Sequence, residues 1–487
     1  MNTLFRCADG TFDYAAIQEM NIASKTGSNM VMSESNNSHN WYGLVSTYQN
    51  SFFDKKLNIL AGVDLRYYVG YHNNKIIDLY DGEYFMDDSS RKSVKAENNA
   101  AAADPNWQYE KLGVGDVVYR DYIGYTQQEG VYAQAEYTAI EKKLNFVLSG
   151  SVSNTGYKRK DRFYYDAEHG TTPWYNFFGG TVKFGANYNI DRHNNVFANV
   201  GYISRAPFFA NGVFLQQATS NAVNPDPINE KVFSAEVGYN FRSRYFSATV
   251  NAYYTKWLDK TAVRTGTFSS GPRQGERYVM NLAGVDARHM GIEVNATYAP
   301  TRWLEITGML SIGDYEWASN AKGYFYDVLG QPLKDLAGNI ASGILAEDHA
   351  WGILNQKGVK VGGSAQTTAA LGVTFRPFKG MRIGADWKVN ARNYSDYSVS
   401  VPSMNSEINV GDPWRIPWGN QLDLSASYNF NIGGVNATLY GNVHNLFNYN
   451  YVVDAWSNSE VNATWENIYG VFYSFGRTYS MKLRINF

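Results

Sequence analysis

The feature that most constrains this chain is a period of two. From Leu422 to Ile432 every even position is apolar and every odd position polar. Phe246, Ala248, Val250, Ala252 and Tyr254 alternate with Ser247, Thr249, Asn251, Tyr253 and Thr255. Phe233 to Phe241 and Tyr479 to Phe487 repeat the scheme. Side chains of a strand point alternately to opposite faces, so each stretch reads as a strand with one apolar and one polar face.

About fifteen such strands can be read, near 40–49, 57–72, 127–139, 144–161, 180–190, 195–205, 231–241, 246–258, 288–299, 303–317, 366–377, 381–396, 420–431, 435–451 and 475–487. Ten or more residues is long for a soluble sandwich, but it suits a tilted strand crossing a bilayer, which needs ~9–11. Connections alternate between short ones, such as Pro300-Thr301-Arg302 and Gly433-Gly434, and long ones near 73–126, 162–179, 206–230, 259–287, 318–365, 397–419 and 452–474. Rings gather near strand ends, as at Trp41-Tyr42, Phe52-Phe53, Tyr253-Tyr254 and Trp303. Short turns on one side, long loops on the other and aromatic girdles describe an all-β, transmembrane antiparallel β-barrel. Short turns then face the periplasm, and residues 1–38 are expected to be the end of an extracellular loop. An odd strand count that starts outside does not suit a complete barrel, so the chain reads as the C-terminal part of a longer one.

Composition removes other classes. Lys plus Arg is 43 and Asp plus Glu is 45, so no strong field points at nucleic acid. Cys7 is the single cysteine, which excludes an internal disulfide. No run of ~18 apolar residues forms a membrane helix, and the first residues carry neither the basic start nor the apolar core of a signal peptide. The seven histidines are scattered, with no metal-ligand spacing, P-loop or Gly-x-Ser-x-Gly, so neither an enzyme nor a cofactor or metal site is expected. The acidic run Asp78 to Asp88 lacks the order of a calcium loop and reads as a solvated loop. Binding is expected in the long loops. Trp174, Tyr175 and Phe177, then Phe208 and Phe209, and Trp414, Trp456 and Trp465 could stack on a sugar face or an aromatic chelate, or else serve as girdle and loop packing.

Several strings carry a resemblance. Ser204-Arg205-Ala206-Pro207-Phe208 closes one strand, and Asn224-Pro225 and Glu230-Lys231 lead into the next, which contains Glu236-Val237-Gly238. Later come Asn445-Leu446-Phe447-Asn448 and a closing strand from Gly476-Arg477 to Phe487. In order and spacing this resembles the TonB-dependent outer-membrane receptors, in a style similar to those of Bacteroides-type bacteria. The resemblance implies a barrel of about 22 strands, which makes this chain strands eight to the last. It also implies a signal peptide, a plug and a TonB-contacting box that are not visible here, so 39–487 is expected to be a partial barrel without a plug domain. Its implied function is energy-coupled import of an iron–siderophore or similar chelate, or of a glycan. Its implied surroundings are the lipid bilayer, lipopolysaccharide, the barrel-assembly machinery reading the last strand, TonB through the missing part, and a surface lipoprotein. The rival readings are a passive porin-like barrel and a structural or adhesion barrel.

Overall fold

The computed structural model describes residues 5–486 apart from 142, 272, 328–329, 334–350, 399–403 and 459–461. Phe487, the last motif residue named above, lies outside the described residues. Fifteen strands form the wall: β1 Met32–Phe52, β2 Leu57–Asp78, β3 Val117–Ile140, β4 Leu144–Asp161, β5 Tyr175–Asn189, β6 Asn194–Arg205, β7 Glu230–Arg242, β8 Phe246–Thr267, β9 Arg277–Tyr298, β10 Leu304–Trp317, β11 Thr367–Phe375, β12 Met381–Ala391, β13 Gly419–Ile432, β14 Val435–His444 and β15 Thr478–Asn486. Each pairs antiparallel with its sequence neighbours. Among the described residues no register joins β1 to β15, so each keeps one unpaired edge. Both strands run in the same direction, and their pairing would be parallel.

The two faces follow the alternation. On β5, Phe178, Val182 and Phe184 are exposed on one face, while Tyr175, Phe177 and Lys183 take the other. On β15, Tyr479, Met481, Leu483 and Ile485 are all exposed. A sheet whose apolar face is left bare over so many strands requires an apolar surrounding. Tyr253, read above as a girdle ring, instead lies on the polar face, where its hydroxyl meets that of Tyr315 at 2.8 Å. The two-residue turn after β13 is Gly433-Gly434, with φ of 56° and 89°, the left-handed pair that a tight hairpin demands.

Several boundaries differ from the sequence reading. Residues 32–38, expected in a loop, already belong to β1, and a helix, Tyr14–Ala23, precedes them. Asp13 caps that helix by accepting from Ala16 N, and Asn21 anchors it by donating to the carbonyls of Met30 and Leu79. The connection expected over 259–287 is mostly strand, with only 268–276 between β8 and β9. The reason is a pairing irregularity between Trp257 and Ala262, with Asp259 at φ 56°. A bulge shifts the phase of the alternation by one residue, which ends the visible pattern while the ladder continues.

A two-faced wall one strand thick has no interior to fill. The largest buried apolar cluster therefore lies beyond it, at the long-loop end. Phe268, Tyr278, Met280 and Leu282 of the extended β8–β9 hairpin pack with Ala321, Phe325, Leu354, Met404 and Ile408. The hairpin continues as a sheet through Ala321–Tyr326, Trp351–Asn355 and, in parallel, Ser406–Asn409. Tyr397 packs against this unit and donates to Gln356 Oε1 at 3.1 Å, and burial pushes its phenol up to about 12. A second small sheet joins Asp396–Ser398 to Val452–Asn458 and Ile468–Tyr473. Phe325→Ala should remove about 3–5 kcal/mol from the loop unit. Limited proteolysis should then cut within 318–366 while the wall stays resistant; cleavage at the wild-type rate would refute the unit.

Candidate functional site

The long-loop mouth over β3, β4 and β5 carries the most constrained chemistry. Tyr157 and Tyr175 are register partners on the polar face of β4 and β5. Phe177 lies 6.0 Å from Tyr157, centroid to centroid. The 206–229 connection folds inward onto these rings, with Phe209 at 5.8 Å from Tyr157 and Phe214 at 4.7 Å from Phe209 and 6.0 Å from Tyr175. Gly124 on β3 leaves space for Phe209, since a Cβ there would stand 3.0 Å from its ring. The five rings make one cluster across two strands and a loop, beside Gly124 of β3.

A buried ion pair latches that loop. Arg159 is fully buried. Its Nη2 donates to Asp161 Oδ2 at 2.6 Å, its Nε donates to Gln217 O at 2.9 Å, and its Nη1 reaches Asn221 Oδ1. Asp161 Oδ1 accepts in turn from the amides of Phe163, Tyr164 and Tyr165 at 2.6–3.1 Å. A buried charge is tolerated only when paired and fully hydrogen-bonded, and this pair is both. The neighbouring loops are tied by Asp166, which accepts from Ala100 N at 3.1 Å and from His169 N and Nδ1 at 3.0 and 2.8 Å. The Ala100 amide, followed by the His169 contacts, holds the Asp166 carboxyl down at about 2.

The sequence-predicted ring residues divide. Tyr175, Phe177 and Phe209 meet in the mouth cluster; Tyr175 and Phe177 do so from strand β5 and not from a loop, because β5 begins five residues earlier than the alternation suggested. Trp174 stands apart, packed by Lys158 of the apolar face. Phe208 is exposed under the Arg205 guanidinium, 4.4 Å away. Trp414 of the 392–418 connection pairs with Trp465 of the 445–477 connection at 5.4 Å, and within the latter Trp456 packs edge-on against Phe472 at 4.9 Å. Among the described residues no ring contact joins these tryptophans to the Tyr157 cluster.

The motif residues have structural work. Arg205 and Glu230 face each other across β6 and β7, and the guanidinium donates twice to the buried Glu230, closing the base of the 206–229 loop beside buried Pro207. Gly238 lies under the Phe197 ring, and a Cβ would meet it at 2.3 Å. Glu236 accepts from Asn199 on the polar face. Asn445, at φ 52°, is buried; its amide donates to Asp423, its side chain donates to Tyr449 O and Phe475 O, and Leu446 N donates to Leu422 O. Phe447 is exposed, and a Cβ on Gly476 would stand 3.0 Å from Asn448 Oδ1. The carboxylates of the acidic run scatter: Asp78 caps Tyr80 N, Asp81 takes Gln18, and Asp87 takes Tyr119 N.

Sequence reasoning missed Arg159 and Asp161. Lys158-Arg159-Lys160-Asp161 reads as a solvated charge run. The available signal was parity, since Arg159 shares its face with Tyr157 and Ser151. Below the mouth, polar side chains including Glu136, Ser149, Lys183, Asn199, Ser234 and Glu236 line a trough of about 750 Å³.

Two outcomes follow for the mouth. Arg159→Ala leaves a buried carboxylate without its partner, a loss of about 3–5 kcal/mol. Amide exchange over 208–224 should accelerate, and unchanged exchange would refute the latch. Asp166 has a folded pKa below the ordinary 3.8, so its contribution is complete above that value and disappears as pH falls through about 2. Exchange at the Ala100 amide should rise between pH 4 and 2 in the wild type and be pH-independent beyond the intrinsic rate in Asp166→Asn.

Sequence comparison identifies one family pattern, described as TonB dependent receptor-like, beta-barrel, matching residues 5–446. No curated protein matches by sequence. Among solved structures, "Copper transporter OprC" is similar with TM-score 0.56 and 15% identity, over 93% of this chain and 56% of that one. The unliganded ferric citrate transporter FecA gives TM-score 0.57 and 13% identity, over 93% and 55%. BauA, the ferric preacinetobactin receptor from Acinetobacter baumannii, gives 0.54 and 13%, over 95% and 56%. At these identities the likeness is one of fold, and the chain spans about half the length of each structure.

Proposed function

The chain belongs to the TonB-dependent receptor β-barrel family of the Gram-negative outer membrane, and from that membership we propose that it forms the wall and outer vestibule of a receptor importing a scarce chelated metal. The supporting observation is the mouth: rings of two strands and an inward loop meet where a ligand entering from outside would arrive. The similar structures include a copper transporter, a ferric citrate transporter and a ferric preacinetobactin receptor, which favours a metal chelate. A chelate with aromatic arms would stack against Phe209 and Phe177, gaining about 0.5–1.5 kcal/mol per ring pair beyond burial. Trp414 and Trp465, paired in the long connections, would hold a second arm.

We read the fifteen strands as part of a larger barrel. The unpaired edges of β1 and β15 and the roughly twofold greater length of the similar structures support this. Energy coupling would then pass through TonB and a plug, while every described element here belongs to wall or loop. The ligand is bound and passed without chemistry, so the protein is read as a receptor and not an enzyme. Residues 1–38 are read as extracellular, and assembly of β15 by the barrel-assembly machinery and docking of a surface lipoprotein on the loops belong to the same proposal.

The test is uptake of radioactive iron, supplied as a catecholate chelate, by iron-starved cells expressing the complete receptor. Phe209→Ala combined with Trp465→Ala should raise the half-saturating concentration about tenfold, or ~1.4 kcal/mol, at equal receptor abundance. Uptake indistinguishable from the wild type would end the chelate reading. Expression that rises with a glycan and ignores iron would transfer the site to sugars.

A further inference from the structure

Two glycines share one row of the polar face beside the mouth. Across β1 to β4 the register partners are His39, Gly70, Gly124 and Arg159. The space over Gly124 is taken by the Phe209 ring. The space over Gly70 is bounded instead by donor atoms of its own strand. A Cβ there would stand 3.1 Å from His72 Nε2, 3.1 Å from Tyr68 Oη and 2.9 Å from the Tyr68 ring. His39, directly opposite Gly70, stacks on that same Tyr68 ring with centroids 5.4 Å apart. Two imidazoles and a phenol from neighbouring strands therefore converge on one small void. No spacing in the sequence announces it, because register and not chain order brings His39 to Gly70.

Hydrogen bonding sets which nitrogen of His72 is free. Asn37, its register partner, donates through Nδ2 to Ser35 O at 3.4 Å and Ser35 Oγ at 3.3 Å, which turns its Oδ1 toward His72 Nδ1 at 2.7 Å. An amide oxygen only accepts, so Nδ1 carries the proton and Nε2 the lone pair. That lone-pair nitrogen is the one over Gly70. Metal-bound imidazoles donate their other N–H to an oxygen that fixes the tautomer, and Asn37 already does this. Tyr122 stacks on the His72 ring at 4.7 Å and the Arg159 guanidinium lies 4.8 Å from Tyr122, so the ring is held from the side of the latch. His39 is exposed, and among the described residues neither its ring nitrogens nor Tyr68 Oη has a hydrogen-bond partner.

We propose that His72 Nε2, a ring nitrogen of His39 and Tyr68 Oη form a lumenal site for a divalent transition-metal ion, with Cu(II) held most tightly. Imidazole nitrogen suits copper, nickel and zinc, and first-row affinity peaks at Cu(II). The set offers no carboxylate to favour calcium or magnesium. Among the described residues no three of His, Cys, Asp and Glu gather for a metal; this site is made of two imidazoles completed by a phenol oxygen. It takes an ion with exchangeable positions, either hydrated or incompletely chelated, and rejects a ferric chelate whose every position is filled. The Arg120 guanidinium, held by Asn74 Oδ1 and Ser35 Oγ, acts on His72 and tempers affinity for a cation, which suits a site that both loads and releases. The inference needs the wall alone and not the chelate reading, so metal binding here and chelate uptake can fail independently.

The experiment titrates the full chain in detergent with Cu(II) by calorimetry and records pulsed electron paramagnetic resonance on the same samples. The unaltered chain should take a single tight ion whose spectrum shows coupling to a pair of imidazoles. Coupling to one imidazole or none would overturn the site without any substitution. His39→Gln with His72→Gln should weaken binding about a hundredfold, and Asn37→Leu, which removes only the oxygen behind His72, about tenfold. Gly70→Ala keeps every donor and fills the void, so it should also weaken binding about tenfold, a loss comparable to that of an outer-shell partner. His289→Gln, which removes the imidazole stacked on Tyr315 elsewhere on the polar face, should leave the affinity unchanged. Wild-type affinity in the double variant, or an equal loss in His289→Gln, would overturn the proposal. Displacement of Cu(II) by an equal concentration of calcium would overturn it as well.

Discussion

Everything in this structure depends on the backbone ladder. In hydrocarbon an unpaired amide or carbonyl costs several kcal/mol, so a spanning chain must pair every group internally. Fifteen strands accomplish this by neighbour-to-neighbour antiparallel pairing, with an uninterrupted register from Ser33 to Phe52 between β1 and β2. The same requirement makes the two edges the least satisfied part of the molecule. An exposed strand edge presents donors and acceptors to any partner, and β1 offers one of 21 residues.

A wall whose two faces meet lipid and water cannot hold a packed core. Buried apolar area is displaced to the loops, where Phe268, Met280, Phe325 and Leu354 are each at most 1% exposed. Rigid loops have a consequence at the mouth. The 206–229 segment enters the lumen because its base is closed by Arg205 and Glu230, its tip is held by Arg159, and its rings find Tyr157 and Phe177. The ring cluster is thereby preorganised, and a ligand bound there as proposed would cost less ordering entropy.

Some of this was legible in the sequence for a plain reason. Strand alternation is local, so Leu422 to Ile432 announced β13 without reference to anything distant. Where the local rule broke, legibility broke too: the irregularity at Asp259 hid 259–267 of β8 and 277–287 of β9. Ring type could be read, but ring partner could not. Trp174 and Tyr175 are adjacent in sequence and point to opposite faces, one to Lys158 and the other to Phe214. Arg159 looked like one charge among four, and its burial depends on Gln217 and Asn221, some sixty residues away.

The sequence by itself determined the strand number, the two-faced wall and the family, because period, turn chemistry and short motifs are properties of neighbours along the chain. Tertiary structure alone decided which rings share the mouth, which cation is buried and which faces lipid. Those outcomes depend on register and loop closure, which bring together side chains from strands that no local pattern relates.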